Sequence, residues 1–169
     1  MKRIGLISDT HSHLEESVLA YFEECDEIWH AGDIGDASVA DRLAGFRRLR
    51  AVYGNIDDAR LRRRFPEDLR FELEGVEVFM THIGGYPGRY NRRVRALLRE
   101  RPPDLYICGH SHILKVMPDQ SLGLLHINPG AAGNHGFHQV KTIVRLTLSE
   151  GQIGEVQVVE LGKRGALKG

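Results

Sequence analysis

The 169-residue sequence has only two cysteines, Cys25 and Cys108, and both stand in apolar surroundings. That excludes a disulfide framework, and two reduced core thiols fit a cytoplasmic protein. No apolar run approaches the roughly 20 residues of a membrane span. The first residues lead straight into a strand without a signal-peptide pattern, so no membrane partner is expected. Neither sign of charge is in excess: acidic and basic residues number 23 each, and the sum gives no reason to expect specific nucleic-acid binding. Basic residues gather only locally, in the run Arg60, Arg62, Arg63, Arg64 and in Arg89, Arg92, Arg93, Arg95, Arg99, Arg101. These read as solvated faces or as a rim that steers anions. Repeats, low-complexity tracts, a P-loop and the dinucleotide glycine motif are all missing, which argues against metal-free nucleotide binding. What remains is an ordinary globular composition, long enough to bury a full core. It reads as a single domain over residues 1–162 with a flexible tail at 163–169.

Along the chain, the pattern predicts a strand over 2–8, an amphipathic helix over 14–25, a strand over 27–31, a helix over 38–46 and a strand over 49–53. This order implies parallel pairing with crossover helices. Residues 57–68 are polar and broken by Pro66, so they form a surface loop or a short helix. A hairpin follows, with strands over 69–74 and 76–81 joined at Gly75. Gly84 to Gly88 reads as a flexible loop, 89–101 as a helix stopped by Pro102-Pro103, and 104–108 as a strand. Short strands near 114–117 and 124–127 come next, then a glycine-rich loop from Asn128 to Gly136 and a last hairpin over 142–148 and 155–161. A parallel half followed by an antiparallel half predicts two sheets packed face to face and flanked by helices.

Five predicted strands each end in a short polar motif: Asp9-Thr10-His11, Gly32-Asp33, Gly54-Asn55, His82 and Gly109-His110-Ser111-His112. Ligands of open α/β sheets gather outside the carboxyl ends of the strands. Taken alone, each motif has a plainer reading, as a turn aspartate, a tight turn or a hairpin signal. Together, in a chain with 9 histidines, they place Asp9, His11, Asp33, Asn55, His82, His110 and His112 in one crevice. Imidazole and carboxylate together suit divalent first-row ions. Two such ions roughly 3.5–4 Å apart repel strongly, so a carboxylate must bridge them. The only charged candidates are Asp9 and Asp33. The site would therefore stay net positive and attract a phosphate oxyanion, and a bridging water that loses its proton near neutral pH would attack phosphorus in line.

In order and spacing these five motifs resemble the calcineurin-like metallophosphoesterase superfamily, in particular its small YfcE-type phosphodiesterase branch, over Met1 to about Arg145. The resemblance implies a four-layer α/β/β/α sandwich of two mixed sheets flanked by helices, with a binuclear centre. It implies that Asp9, His11 and His112 hold one ion, that Asn55, His82 and His110 hold the other, and that Asp33 bridges. Manganese is the first expectation for both ions, with nickel, iron, cobalt and zinc as the others. Catalysis would fall to Asp33, Asn55 and His110 through the metals and the bridging hydroxide.

One position departs from many relatives. Where they carry a general-acid histidine after the asparagine, this chain has Ile56, and general acid help is worth about 10²–10⁴-fold. His13 is the candidate substitute, with a plain loop histidine as its other reading. The missing acid favours a phosphodiesterase acting on a small phosphate ester. A phosphomonoesterase, a phosphoprotein phosphatase and a binding scaffold like a retromer subunit are the alternatives, and the resemblance also allows a homo-oligomer. Asp57 reads as an orienter of a ligand or as a turn cap, and His135 and His138 as flanks of a loop that cradles an oxyanion or merely turns. Tyr86, Arg89 and Tyr90 read as a substrate lid or a surface loop, His30 and His126 as satisfied core histidines, and Cys108 as core rather than ligand.

Overall fold

Alternation within single strands sets the layering. In the first strand, β1 (Lys2–Ile7), Ile4 and Leu6 point one way and Gly5 and Ile7 the other, and all four are buried. A strand apolar on both faces must lie in a covered sheet. The computed structural model, which describes residues 1–165, supplies both covers.

The first sheet has the order β12-β11-β1-β2-β3, formed with β2 (Glu27–His30), β3 (Arg48–Ala51), β11 (Val140–Ser149) and β12 (Gln152–Lys163). β1, β2 and β3 run parallel, while β11 is antiparallel to both β1 and β12. The second sheet has the order β4-β5-β8-β10-β9, from β4 (Asp68–Leu73), β5 (Val76–Thr81), β8 (Leu105–Ile107), β9 (Lys115–Asp119) and β10 (Leu124–Asn128). Both sheets are mixed. Their facing surfaces share one core, in which Ile4, Leu6, Trp29, Val144 and Leu146 of the first sheet meet Val78, Met80, Leu105, Ile107 and Ile127 of the second. Helices α1 (Glu16–Tyr21) and α2 (Ala37–Phe46) cover the outer face of the first sheet through Val18, Val39 and Leu43. The short α3 (Ala59–Arg64) adds Leu61 to that layer, and α4 (Arg92–Glu100) covers the second sheet through Val94 and Leu98, against Phe79 and Tyr106. The result is the four-layer α/β/β/α sandwich.

Gly5 shows how tightly the outer layer sits. A Cβ there would fall 2.6 Å from the Phe22 ring. Gly5→Ala is expected to destabilise by about 1–3 kcal/mol through overpacking, read as a lower urea midpoint with an unchanged slope.

Three local expectations are corrected. The loop expected over Gly84–Gly88 and the start of the next helix are instead a small antiparallel hairpin, β6 (Gly85–Tyr86) and β7 (Arg89–Tyr90). Helix α4 begins only at Arg92, because the Asn91 side chain accepts from the Arg93 and Val94 N–H groups and caps it there. Helix α1 is a short segment from Glu16 to Tyr21, and its N-terminal Glu15 makes no side-chain cap. At the carboxyl end, β12 continues through Lys163, and Arg164 donates to the His138 and Asn134 carbonyls, so the chain is held up to that point. Residues 166–169 of the expected tail lie outside the described residues. Among the described residues, no helix is long and apolar enough to cross a membrane.

Candidate metal centre

All seven sequence-predicted ligands stand just past strand ends. Asp9 and His11 follow β1, Asp33 follows β2, Asn55 follows β3, His82 follows β5, and His110 and His112 follow β8. Asp9, His11 and His112 form one group whose donor atoms lie within 4.8 Å of one another; Asp33, His82 and His110 form a second. Asn55 joins the second group through its Oδ1, 3.0 Å from His110 Nδ1. Asp33 Oδ2 lies between the groups, 3.4 Å from His11 Nε2 and 3.2 Å from His82 Nε2. Asp9 Oδ1 is 3.1 Å from His112 Nε2 and 3.7 Å from His11 Nε2. The cluster is deep at Asp9, Asp33 and His82, half-buried at His11 and His112, and open to solvent at Asn55 and His110.

The backbone is bent to make this arrangement. Asp9, His11, Asp33, His110 and His112 have φ of 53°, 45°, 56°, 72° and 63°. Left-handed backbone at residues other than glycine costs of order 1–3 kcal/mol and persists where the surroundings impose it. Adjoining loops supply that constraint: the Asp9 N–H donates to the Gly32 carbonyl, His11 N–H to the Asp33 carbonyl, and Gly109 N–H to the His82 carbonyl. Gly32 itself has φ of 102°, and a Cβ there would stand 2.6 Å from His82 Nδ1. Only glycine lets the imidazole pass so close.

A further ring of side chains holds the candidate ligands. His82 Nδ1 donates to the Ala31 carbonyl at 2.7 Å, which leaves Nε2 facing Asp33. Asp57 accepts from the Gly54, Ile34 and Gly35 N–H groups and ties the Asp33 loop to the Asn55 loop. It therefore caps the turn after Asn55 and braces both loops at once. His30 is the satisfied core histidine the sequence suggested: Nδ1 accepts from the Gly32 N–H, Nε2 lies 3.0 Å from Thr10 Oγ1, and Thr10 donates to the Ile34 carbonyl. Burial pushes the His30 imidazole down to about 4, so it stays neutral. Asn128 donates to the Gly109 carbonyl and to Ser111 Oγ, and so fixes the turn that carries His110 and His112. That role was invisible in the Asn128-Pro129-Gly130 turn.

The electrostatics favour cations. Burial raises the Asp9 carboxyl, but the His11 and His112 rings, the charge on His82 and the Ser8 hydroxyl outweigh it and hold the group far below the usual carboxylate range. Burial likewise raises Asp33, and His82 with the Ile56 N–H more than reverses it. Both carboxylates are thus ionised at neutral pH. At the centre, Asp9 Oδ1, His11 Nε2 and His82 Nε2 are buried without a hydrogen-bond partner. An unpartnered buried polar atom costs about 1–3 kcal/mol, and more where it is charged. Divalent ions accepting these atoms would remove that cost, so the residues present fit the two ions that the sequence implies.

The other candidates surround the cluster or stand apart from it. His13 faces Glu15, with Nε2 3.6 Å from Oε1. The His135 ring packs on His11 at 4.7 Å and the His138 ring against His112 at 5.2 Å, so the glycine-rich loop closes over the first group. Cys108 donates its thiol to the Gly85 carbonyl, and burial pushes it up to about 12, which disfavours a thiolate ligand. Of the expected lid, Tyr90 is fastened by donating to Asp119, and only Tyr86 lines a cavity beside His110. His126 departs from expectation: it is buried, but its Nδ1 has no partner. Two clefts flank the open side of the cluster. One, of about 210 Å³, adjoins His110; the other, of about 300 Å³, adjoins Asn55 and His82 and is edged by Arg62 and Arg93. Arg62 donates to the Asp57 and Asn55 carbonyls and Arg93 pairs with Asp68, so both line this cleft while staying exposed to solvent.

Known proteins resemble this chain in sequence and in fold. The family model for the calcineurin-like phosphoesterase superfamily domain matches residues 1–151. A probable metallophosphoesterase of Methanocaldococcus jannaschii is 33% identical over 134 residues, covering 76% of this chain and 67% of that protein. A phosphodiesterase of the same organism is 25% identical over 146 residues, covering 76% of this chain and 82% of its own. Among solved structures, wild-type Vps29 of Entamoeba histolytica in complex with zinc superimposes with a TM-score of 0.74 at 17% identity, over 96% of this chain and 99% of its own.

Proposed function

This chain belongs to the calcineurin-like phosphoesterase superfamily, and from that premise we propose that it hydrolyses phosphodiesters with two divalent ions held by Asp9, His11, Asp33, Asn55, His82, His110 and His112. The observation that carries the reading is the meeting at one point of three unpartnered buried atoms, Asp9 Oδ1, His11 Nε2 and His82 Nε2, beside Asp33, with both the Asp9 and the Asp33 carboxylates ionised. Bound ions supply a water acidified to near neutrality and positive charge for the phosphoryl oxygens, the chemistry of in-line displacement. The chain's own residues do the rest. Asp33 stands between both groups, His82 is aimed by Ala31, and Asn55 and His110 border the solvent side where an ester can enter. A diester suits the two flanking clefts, one for each arm. It also suits Ile56, which leaves no acid after Asn55 and favours good leaving groups. The phosphodiesterase among the relatives supports the same choice.

Manganese is the proposed resident metal. Millimolar Mn²⁺ added to chelator-stripped protein is expected to switch on hydrolysis of an aryl phosphodiester. It is also expected to raise Tm by about 5–10 °C, from about 2.7 kcal/mol of linkage at a hundredfold excess over Kd. Failure of both would end the reading. The competing scaffold reading rests on the fold shared with Vps29. It predicts metal uptake without turnover, so elemental analysis paired with a screen of monoesters, diesters and cyclic nucleotides separates the two.

A further inference from the structure

The cavity next to His110 offers more than an opening. It lies over the second sheet, and its walls include Gly84, Tyr86, Ile113, Lys115 and His126. At about 210 Å³ it is smaller than the roughly 300–1,000 Å³ of pockets for drug-sized ligands, and it suits a single ring system. Ile113 is 62% exposed, an aliphatic side chain with little of its own to pack against. Tyr86 is also exposed, and the Lys115 ammonium sits 3.8 Å from its ring centre. The wall contributed by β10 is polar. His126 is 1% exposed, and its Nδ1 has no hydrogen bond. Its ring lies 5.3 Å from that of Tyr106, whose hydroxyl is buried without a partner as well. Burial, with the nearby Lys115 charge, pushes His126 down to about 4. At neutral pH it therefore offers one N–H and one lone pair but no charge, as the edge of an uncharged heterocycle does.

We propose that this cavity binds one flat, uncharged heterocyclic ring of the nucleobase kind, carried on one arm of the phosphodiester, with Tyr86 and Ile113 packing on the ring and His126 hydrogen-bonding its edge. The ester in this statement rests on the phosphoesterase reading; the ring site can be tested without turnover. Two measurements keep the claims apart.

First, the chelator-treated protein is titrated with adenosine, which carries no phosphate, and the His126 ring resonances are followed by NMR. A saturable shift with millimolar affinity is expected. In calorimetric titrations, Ile113→Asp and His126→Leu should each weaken binding about tenfold, a loss on the scale of one hydrogen bond or one apolar contact, while melting near the wild type. An unmoved spectrum, or unchanged affinity in both variants, overturns the ring site. Second, with Mn²⁺ present, kcat/KM is compared for the p-nitrophenyl ester of adenosine 5′-phosphate and for methyl p-nitrophenyl phosphate. A preference of about tenfold for the nucleoside ester is expected, expressed in KM and erased by Ile113→Asp. Equal values for the two esters overturn the proposal. Adenosine binding without turnover of either ester upholds the ring site and overturns the phosphoesterase reading alone.

Discussion

Asp33→Ala is expected to lower phosphodiester turnover by about 10³-fold or more. The size follows from position. Asp33 Oδ2 is the carboxylate oxygen within 3.4 Å of a histidine from each ligand group. Removing it would take away the one charge placed to separate the two proposed cations. Metal ions contribute several kcal/mol of transition-state stabilisation, and each 1.36 kcal/mol is tenfold in rate. Elemental analysis should show the metal content fall below two per chain, while the melting curve without metal stays cooperative. His110→Ala should act in the same direction with less risk to the fold, because His110 is exposed. Normal turnover by Asp33→Ala would sink the mechanism.

Asp57→Ala should be the most damaging change outside the ligands. Its carboxylate accepts three backbone N–H bonds, at 2.8 Å from Gly54, 2.9 Å from Gly35 and 3.2 Å from Ile34. Alanine leaves these donors unpaired in a region where Asp57 is 3% exposed. At about 1–3 kcal/mol for each stranded donor, the loss should be about 3 kcal/mol or more, visible in urea denaturation without metal. Because those bonds tie the loop of Asp33 to that of Asn55, metal affinity should also fall about 10–100-fold. Asp57→Asn retains one acceptor oxygen and should lie between the two. If alanine moves neither the urea midpoint nor the metal titration, Asp57 is only a surface turn.

The fold was legible because its strands are short apolar runs that end abruptly in polar motifs, as at Ile7 and Ile107, and because helices such as 37–46 carry a clear apolar stripe. The ligand candidates were legible for the same reason: they stand where the runs stop. Less could be read where a residue's role depends on a partner far away in sequence. Nothing near Asn128 announces that it holds the turn of His110, and nothing near His30 announces Thr10. Whether Asp57 orients a ligand or caps a turn could not be read locally, because two of its three donors lie 22 and 23 positions upstream. The β6–β7 hairpin was hidden by composition, since Gly84-Gly85-Tyr86-Pro87-Gly88 suggests a loop and the arginines after it suggest an earlier helix start. His126 was misjudged in the opposite sense. Burial was readable from its strand, but the lack of a hydrogen-bond partner is a tertiary fact.

Each ligand group draws on both sheets: Asp9 and His11 meet His112 across the sandwich, and Asp33 meets His82 and His110. Filled by cations, the cluster would work as a rivet at one end of the seam, resisting any shear of one sheet over the other. Grip on the ions would then report on the seam as a whole. A void carved beneath Trp29 or Val78 would let the halves slide by fractions of an ångström, and it would surface as leaky metal binding long before the protein unfolds.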